Sequence, residues 1–441
     1  MCGSGFYAKR LAAVHFFLGS PFFCYYTIVI SIEKLFELYF ECRKTKRRAT
    51  GALAFEIDYE ENLLELCDEL NQRTWKPGAC NCFIVEKPVK REIFAAPFKD
   101  RIVHHILIDA LNPCFERFFI KDSFACRTGK GTLAAIKRLA HFVNSASQNG
   151  KKSAYILKLD IKGYFMSINR NLLYEKLERF IESKYRAFLY EKNETKEQNK
   201  AHKGDWIFEI KEIEDKIGFV KYLAKEIVFN DPTKQVNFKS PKSAWNGLPR
   251  DKSLFTAKEG CGLPIGNLTS QVFANFFLTE FDHYIKHTLR LKRYVRYVDD
   301  FVIVHESKSY LKYLIPKIRA FLKDELALTL HPKKIYLQEA QRGVPFLGAF
   351  IKPNLILAGR RVQKNFVQKM QAYERLAHDH KPTKEEKNAI LASTNSYLGI
   401  LRQYKSWKLR VAVLKKHFAE QLSKHFGLKK DALKLEKKKW K

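Results

Sequence analysis

The sequence has no Cys-x-x-Cys pair among its nine cysteines. The only close pair, Cys80 and Cys82, is one residue apart, which is not the spacing of a structural zinc site. A scattered, odd set suits reduced thiols in a cytosol. There is no internal repeat. Acids are scarce: 47 Asp plus Glu face 80 Lys plus Arg, for a formal charge of +33. An excess of that size argues for a polyanionic partner, nucleic acid first and an anionic membrane surface second. With 46% hydrophobic and 14% aromatic residues the chain is not a disordered one. Its 441 residues can bury a large core and divide into two to four subdomains.

Formal charge is also missing from Leu11 to Ile32, just after Lys9-Arg10. By length and flanks this stretch matches a signal sequence or a membrane span. Gly19, Ser20, Pro21, Tyr25 and Tyr26 interrupt it, and nothing downstream reads as secreted. Residues 1–30 are therefore expected to be a hydrophobic extension of uncertain role, with no stable membrane partner.

Periodicity predicts helices over Ser31–Arg48, Glu60–Gln72, Asp100–Leu111, Asn169–Tyr190, Leu268–Leu291 and Ser309–Leu322. Phe83–Phe94 reads as strand, turn and strand, and Tyr155–Ile161 as a short apolar strand carrying Asp160 near its end. Leu326–Leu330, Ile335–Leu337 and Phe346–Ile351 read as further strands. Residues 191–215 read as a polar surface excursion, 230–259 as an extended loop holding Trp245, and 362–441 as helices. The last 41 residues carry fourteen Lys or Arg against three acids, which alone is no more than a solvated face.

The run Arg293-Tyr-Val-Arg-Tyr-Val-Asp-Asp-Phe-Val-Ile-Val-His305 sets two adjacent carboxylates, Asp299 and Asp300, between two Tyr- and Val-rich strands. A bare Asp-Asp pair is usually a solvated turn. Here a tight turn would expose both carboxylates at a sheet end, where two divalent metal ions can be held for phosphoryl transfer. Asp160 joins them as a third acid.

The order of motifs is Asp160-Ile-Lys-Gly-Tyr-Phe165, Leu263-Pro-Ile-Gly-Asn-Leu-Thr-Ser-Gln271, Tyr297-Val-Asp-Asp300, Leu330-His-Pro-Lys-Lys-Ile335 and Phe346-Leu-Gly348. Over roughly residues 83 to 350 this series resembles that of reverse transcriptases, and Phe124-Ala-Cys-Arg-Thr-Gly-Lys-Gly131 adds a family-like segment upstream. Most relatives carry Gln-Gly-x-x-x-Ser-Pro in the middle motif. Ile265-Gly266-Asn-Leu-Thr-Ser270-Gln271 is similar instead to the reverse transcriptases of diversity-generating retroelements. The segment from Asp231 to Phe255 and Asn395-Ser-Tyr-Leu-Gly399 resemble that group too.

The resemblance implies an α+β right-hand polymerase of fingers, palm and thumb, with an antiparallel palm sheet and a helical thumb. Fingers would span 31–150. The palm would span 151–352, with a fingers-associated insertion at about 191–259, and a basic helical thumb and tail would span 353–441. It implies Asp160 and Asp299 as ligands of two Mg²⁺ ions, with Mn²⁺ as a substitute, helped by the Ile161 carbonyl and supported by Asp300. Few protein ligands suffice for Mg²⁺ beside substrate phosphates.

By the same resemblance Phe165 stacks under the deoxyribose, or is a core aromatic. Lys87 and Arg91 contact the incoming triphosphate, or ride on a solvated hairpin. Arg127, Gly266, Ser270 and Gln271 complete the substrate set. Lys334 resembles the lysine that protonates departing pyrophosphate. Lys333 beside it leaves that assignment open by one position and would lower its pKa toward a useful range. Phe346-Leu-Gly348 resembles the turn that grips the primer end, or is a core strand end.

Ile265 cannot hydrogen-bond an incoming nucleotide as the usual glutamine can, which implies low fidelity, most of all opposite template adenine. The implied partners are template RNA, the cDNA–RNA duplex, deoxynucleoside triphosphates and a small basic accessory variability protein. The copied DNA would replace a variable repeat in a target gene. Two other readings remain. One is an antiphage-defence or group II intron enzyme, although the intron form usually carries a maturase extension and often a zinc-bearing nuclease. The other is a non-catalytic RNA-binding protein on a polymerase scaffold, against which three like charges at one site argue, because they cost stability unless a metal offsets them.

Overall fold

Short runs of β-branched and aromatic residues form the strands. These are β1 (Cys80–Val85), β2 (Arg91–Ala95), β3 (Tyr155–Leu159), β4 (Val236–Phe238), β5 (Tyr294–Tyr297) and β6 (Asp300–His305). They continue with β7 (Tyr336–Glu339), β8 (Val344–Phe346), β9 (Ala349–Lys352) and β10 (Leu355–Ala358). The computed structural model describes residues 29–44, 46–87, 89–197, 206–418, 422–428 and 434–437. The expected N-terminal extension lies almost wholly outside them. Among the described residues no helix is long and apolar enough to cross a membrane.

The chain divides into two compact units. The first takes residues up to 117, 170–256 and 263–271, and the second takes 118–169, 257–262 and 272 onward. In the first unit Ser31 caps the helix Ile32–Arg43 by accepting from the Lys34 amide at 3.3 Å. Helices Thr50–Glu56 and Tyr59–Asn71 follow, then β1 and β2 as an antiparallel pair from Asn81↔Ala95 to Val85↔Arg91. β4 adds to β1 in parallel, with Cys82 opposite Phe238.

In the second unit β5, β6, β3 and β7 lie side by side in that order, each pair antiparallel. The helix Thr132–Ala146 lays Ile136, Leu139 and Val143 in one buried cluster with Val295, Val302 and Val304. A second sheet, β10-β9-β8, precedes the helices Arg360–Asp379, Lys384–Leu401 and Trp407–Phe418. Those helices bury Phe366, Met370, Leu398, Leu401, Leu414 and Phe418 together.

Several expectations are corrected. The polar excursion at 191–215 is largely helical where it is described, in Arg186–Glu197 and Trp206–Phe229. Its charges mask a stripe, Ile213, Ile217, Val220, Ala224 and Val228, whose spacing suits one helix face and all of which is buried. The extended loop at 230–259 contains β4 and three short 3₁₀ turns. The helix of 268–291 breaks into Leu268–Phe277, Thr279–His283 and a π-helical turn, Tyr284–Thr288.

Leu326–Leu330 is not a strand. Ala327, at φ +52°, closes a helix running from Lys308 to Leu326, and only Leu330 bridges, to Ile161. Phe346–Ile351 is two strands joined at Leu347 (φ +48°) and Gly348 (φ +83°), a two-residue turn with both φ positive. The tail after 362 is helical only in part. It also pairs Phe426–Leu428 with Leu435–Lys437, because Asn395 accepts from the Leu435 amide at 2.7 Å and donates to its carbonyl at 2.9 Å.

Candidate active site

Strand register sets the acids. β3 pairs with β6 so that Leu159 lies opposite Phe301, which carries the next residue, Asp160, to the side of Asp300. Both strands are mostly apolar and buried on both faces, through Ile156, Leu157, Leu159 and Phe301 to Val304, so a slip of one residue would send every side chain to the opposite face and misplace the acids. β5 and β6 pair Tyr297 with Asp300 and leave Val298-Asp299 as a two-residue turn. Val298 sits at φ +56°. That conformation is an outlier for a β-branched residue, and such strain gathers at functional sites.

The strained turn is held from below. Arg296 is fully buried and donates from Nη1 to the Val298 carbonyl at 3.1 Å. Its fork grips buried Asp282, Nε to Oδ1 at 2.7 Å and Nη2 to Oδ2 at 2.5 Å. Tyr294 donates to the same Oδ1 at 2.6 Å, and Asn275 Oδ1 accepts from Arg296 Nη1 at 3.0 Å. Fully buried, this pair needs such complete hydrogen bonding to offset its desolvation. It keeps the guanidinium charged far above any working pH.

Burial pushes the Asp299 carboxyl up to about 6, and the charge of Asp160 adds to the shift. Burial raises Asp300 as well, against the opposing pull of Lys158. Lys158 Nζ lies 3.0 Å from Asp300 Oδ2 and donates to the Pro345 carbonyl at 3.1 Å. Lys334 Nζ donates to Asp160 Oδ2 at 2.6 Å. Asp300 Oδ1 is buried with no hydrogen-bond partner.

Among the described residues no three His, Cys, Asp or Glu side chains form a ready-made metal cage. Two of the three carboxylates are instead engaged by lysines. The donor chemistry nonetheless fits a hard divalent cation: only oxygens, a neighbouring Asp160 charge that raises both Asp299 and Asp300, and one buried oxygen left over.

Asp160, Asp299, Asp300 and Lys334 thus meet in the second unit. Ile161 and Phe165 are there too, Ile161 with a buried side chain and Phe165 half-buried, edge-on to Tyr164 at 5.8 Å. Tyr164 is buried and donates to the Ala274 carbonyl. Arg127 donates to the Ile120 and Ser123 carbonyls at 2.6 and 3.0 Å, so its guanidinium braces a loop.

Lys87, Arg91, Ile265, Gly266, Ser270 and Gln271 lie in the first unit. Lys87 and Arg91 are exposed on the β1–β2 hairpin, and Gln271 is exposed while Ser270 is buried. Ile265 accepts from the Phe94 amide at 2.8 Å through its carbonyl. Gly266, at φ +133°, lies so close to β2 that a Cβ would fall 2.7 Å from the Phe94 carbonyl oxygen. Asn267 Oδ1 then accepts from the Ala96 amide at 3.2 Å.

Sequence reasoning missed Lys158, Asn267, Asn275, Asp282 and Arg296. A signal existed for two of them. Lys158 and Arg296 are single cations inside apolar strands, and a charge on a buried strand needs a partner.

Residues 230–351 match the family model described as reverse transcriptase (RNA-dependent DNA polymerase). A reverse transcriptase domain is present over that stretch, which takes in Asp299, Asp300 and Lys334 but not Asp160. Reverse transcriptase domains work with divalent metal ions, template RNA and nucleotides. No curated protein matches the chain.

Among solved structures, telomerase from Candida albicans in complex with a fragment of telomeric RNA is similar at 11% identity and TM-score 0.42, over 80% of this chain and 61% of that one. Apo telomerase from Candida tropicalis is similar at 13% identity and TM-score 0.43, over 78% and 60%. The same telomerase truncated from its C-terminal domain gives 13% and 0.41, over 62% and 53%. The chain spans about three fifths of the length of the first and second of these telomerases and about half of the truncated one.

Proposed function

We propose that this chain copies a template-repeat RNA into cDNA by two-metal phosphoryl transfer, with errors concentrated at template adenines, for mutagenic retrohoming. The observation that carries the reading is the convergence of three carboxylates at one end of a buried antiparallel sheet, on a turn that is strained and braced. In this reading 31–150 supply fingers, 151–352 the palm with its insertion at about 191–259, and 353–441 the thumb.

Asp160, Asp299 and the Ile161 carbonyl are the groups assigned to hold Mg²⁺, with Asp300 in support. Bound there, two Mg²⁺ ions would lower the pKa of the primer hydroxyl and neutralise charge on the leaving phosphate. Asp299 must lose its proton to take part. Lys334 holds a proton at Nζ against Asp160 Oδ2 and is the assigned donor to departing pyrophosphate. Lys87 and Arg91 supply fixed positive charge for the triphosphate. Phe165 presents its ring to the deoxyribose. Ile265 leaves the nascent pair without a side-chain hydrogen bond, the source assigned to adenine-directed error. A basic accessory variability protein is the assigned partner.

The test is cDNA synthesis by the purified chain on RNA, with product sequencing, beside Asp299→Ala plus Asp300→Ala and beside Ile265→Gln. Synthesis is expected to vanish in the double variant. Errors opposite adenine are expected to fall in Ile265→Gln. Accurate, acid-dependent synthesis would overturn the mutagenic reading and leave a defence or intron polymerase. Synthesis that survives loss of both acids would overturn the site itself.

A further inference from the structure

The segment 234–256 has no role in the chemistry above, yet it sets two exposed aromatic rings beside five exposed basic side chains. Phe238 is 51% exposed and Phe255 41% exposed. Their rings stack at 5.8 Å with 20° between planes, and Trp245 meets Phe238 edge-on at 5.6 Å. Phe255 also touches buried Phe94 at 5.4 Å, so the row of rings runs from the core outward. What sets these rings apart from singly exposed apolar residues is that they lie side by side, and contiguous exposed apolar surface marks interaction sites.

The display is rigid. Glu92, buried on β2, accepts three hydrogen bonds from the segment: Trp245 Nε1 at 2.6 Å, Ser253 Oγ at 2.8 Å and the Leu254 amide at 2.7 Å. The Lys239 amide donates to the Cys82 carbonyl at 2.8 Å, and Lys90 Nζ to the Asn246 carbonyl at 2.8 Å. Rings held in place this way have little freedom left to lose on binding.

Charge names the occupant. Lys234, Lys239, Lys242, Arg250 and Lys252 are all exposed on this segment. Its one acid is Asp251; Asp231, three residues before the segment begins, is engaged by Thr233 and Arg170. Rings offering flat apolar faces inside a fringe of cations match unpaired nucleic-acid bases on a phosphate backbone. An apolar peptide would leave those cations unanswered.

We infer that Phe238, Trp245 and Phe255 form a stacking platform for unpaired bases of the RNA template strand, with the surrounding lysines and arginines tracking its phosphates. The identity of the strand rests on the polymerase reading; the stacking chemistry does not.

The platform is tested by anisotropy with a labelled single-stranded RNA and an RNA hairpin duplex of equal length. The protein is the full chain bearing Asp299→Ala plus Asp300→Ala, so binding is measured whether or not the chain can polymerise. Phe238→Ala, at an edge strand, should weaken single-strand binding about tenfold, and adding Phe255→Ala should weaken it about tenfold again. Duplex binding should stay within twofold. Phe238→Tyr plus Phe255→Tyr should restore the parent affinity, since tyrosine keeps the stacking face. Unchanged single-strand affinity in Phe238→Ala would overturn the platform. So would an equal loss on duplex, or no rescue by tyrosine. Tighter binding of single-stranded DNA of the same sequence would overturn the assignment to template RNA. Ring-dependent binding, together with no cDNA synthesis by the unsubstituted parent chain, would leave the platform standing and the polymerase reading fallen.

Discussion

At the scale of single residues, Asp299 is where the cost of the site is concentrated. Its carboxyl keeps a proton up to about pH 6 in the folded chain, because burial and Asp160 both oppose its charge. In the unfolded chain it ionises near the ordinary value of about 4. Its contribution to stability is therefore fully present below about pH 4 and is lost as pH rises through about 6. At 1.36 kcal/mol per pKa unit the whole effect is about 3 kcal/mol. A divalent ion binds only the ionised form, so it should oppose that loss.

Thermal melts from pH 4 to 7.5 in a chelator should fall more steeply for the parent than for Asp299→Asn, and Mg²⁺ should reduce the difference at neutral pH. cDNA synthesis should decline as pH drops below about 6. Parallel melting curves for parent and Asp299→Asn would show that the strained turn, and not the carboxylate, carries the cost.

At the scale of elements, the β5–β6 turn depends on a side chain that lies under it. Arg296→Ala would strip the buried Asp282 carboxylate of its fork and the Val298 carbonyl of a donor. Removing one partner of a buried pair costs about 3–5 kcal/mol. Urea unfolding should register that loss, and a deficit under about 1 kcal/mol would mean that Asp282 finds another partner. What was legible here and what was not follows from the range of the interactions. The two strands and the turn at Asp299-Asp300 could be read, because alternation and turn chemistry are local. The Lys158–Asp300 and Arg296–Asp282 pairs could not, because they exist only once β3 finds β6 and the chain around 275–282 packs beneath β5. The helix Trp206–Phe229 escaped for a different reason. Its apolar stripe is interleaved with Glu209, Lys211, Glu212, Glu214, Asp215 and Lys216, which lower the mean hydropathy while leaving the period intact. Gly266 enters the substrate set through the resemblance alone, and Asn267 does not enter it. Their physical reason, a backbone laid against β2, needed the fold.

At the scale of the whole molecule, the charge of +33 was legible from composition, but what it does depends on where it sits. Part of it is spent internally: Arg296 on Asp282, Lys158 on Asp300, and Lys286 and Arg138 on Asp122 at 2.7 Å each. The exposed remainder should act through counterion release, which lowers log affinity linearly with log salt by about 0.7 for each phosphate contacted on a single strand. Stacking and charge then separate cleanly. Replacing Phe238 and Phe255 with alanine should shift the salt plot for single-stranded RNA downward without changing its slope. Lys239→Ala plus Lys242→Ala should make the slope shallower by about 1.4 if each lysine neutralises one phosphate. Binding to single-stranded RNA between 50 and 400 mM KCl measures both. A slope that ignores the two lysines would place the anion-binding surface of this molecule elsewhere, and its net charge would then say nothing about the segment 234–256.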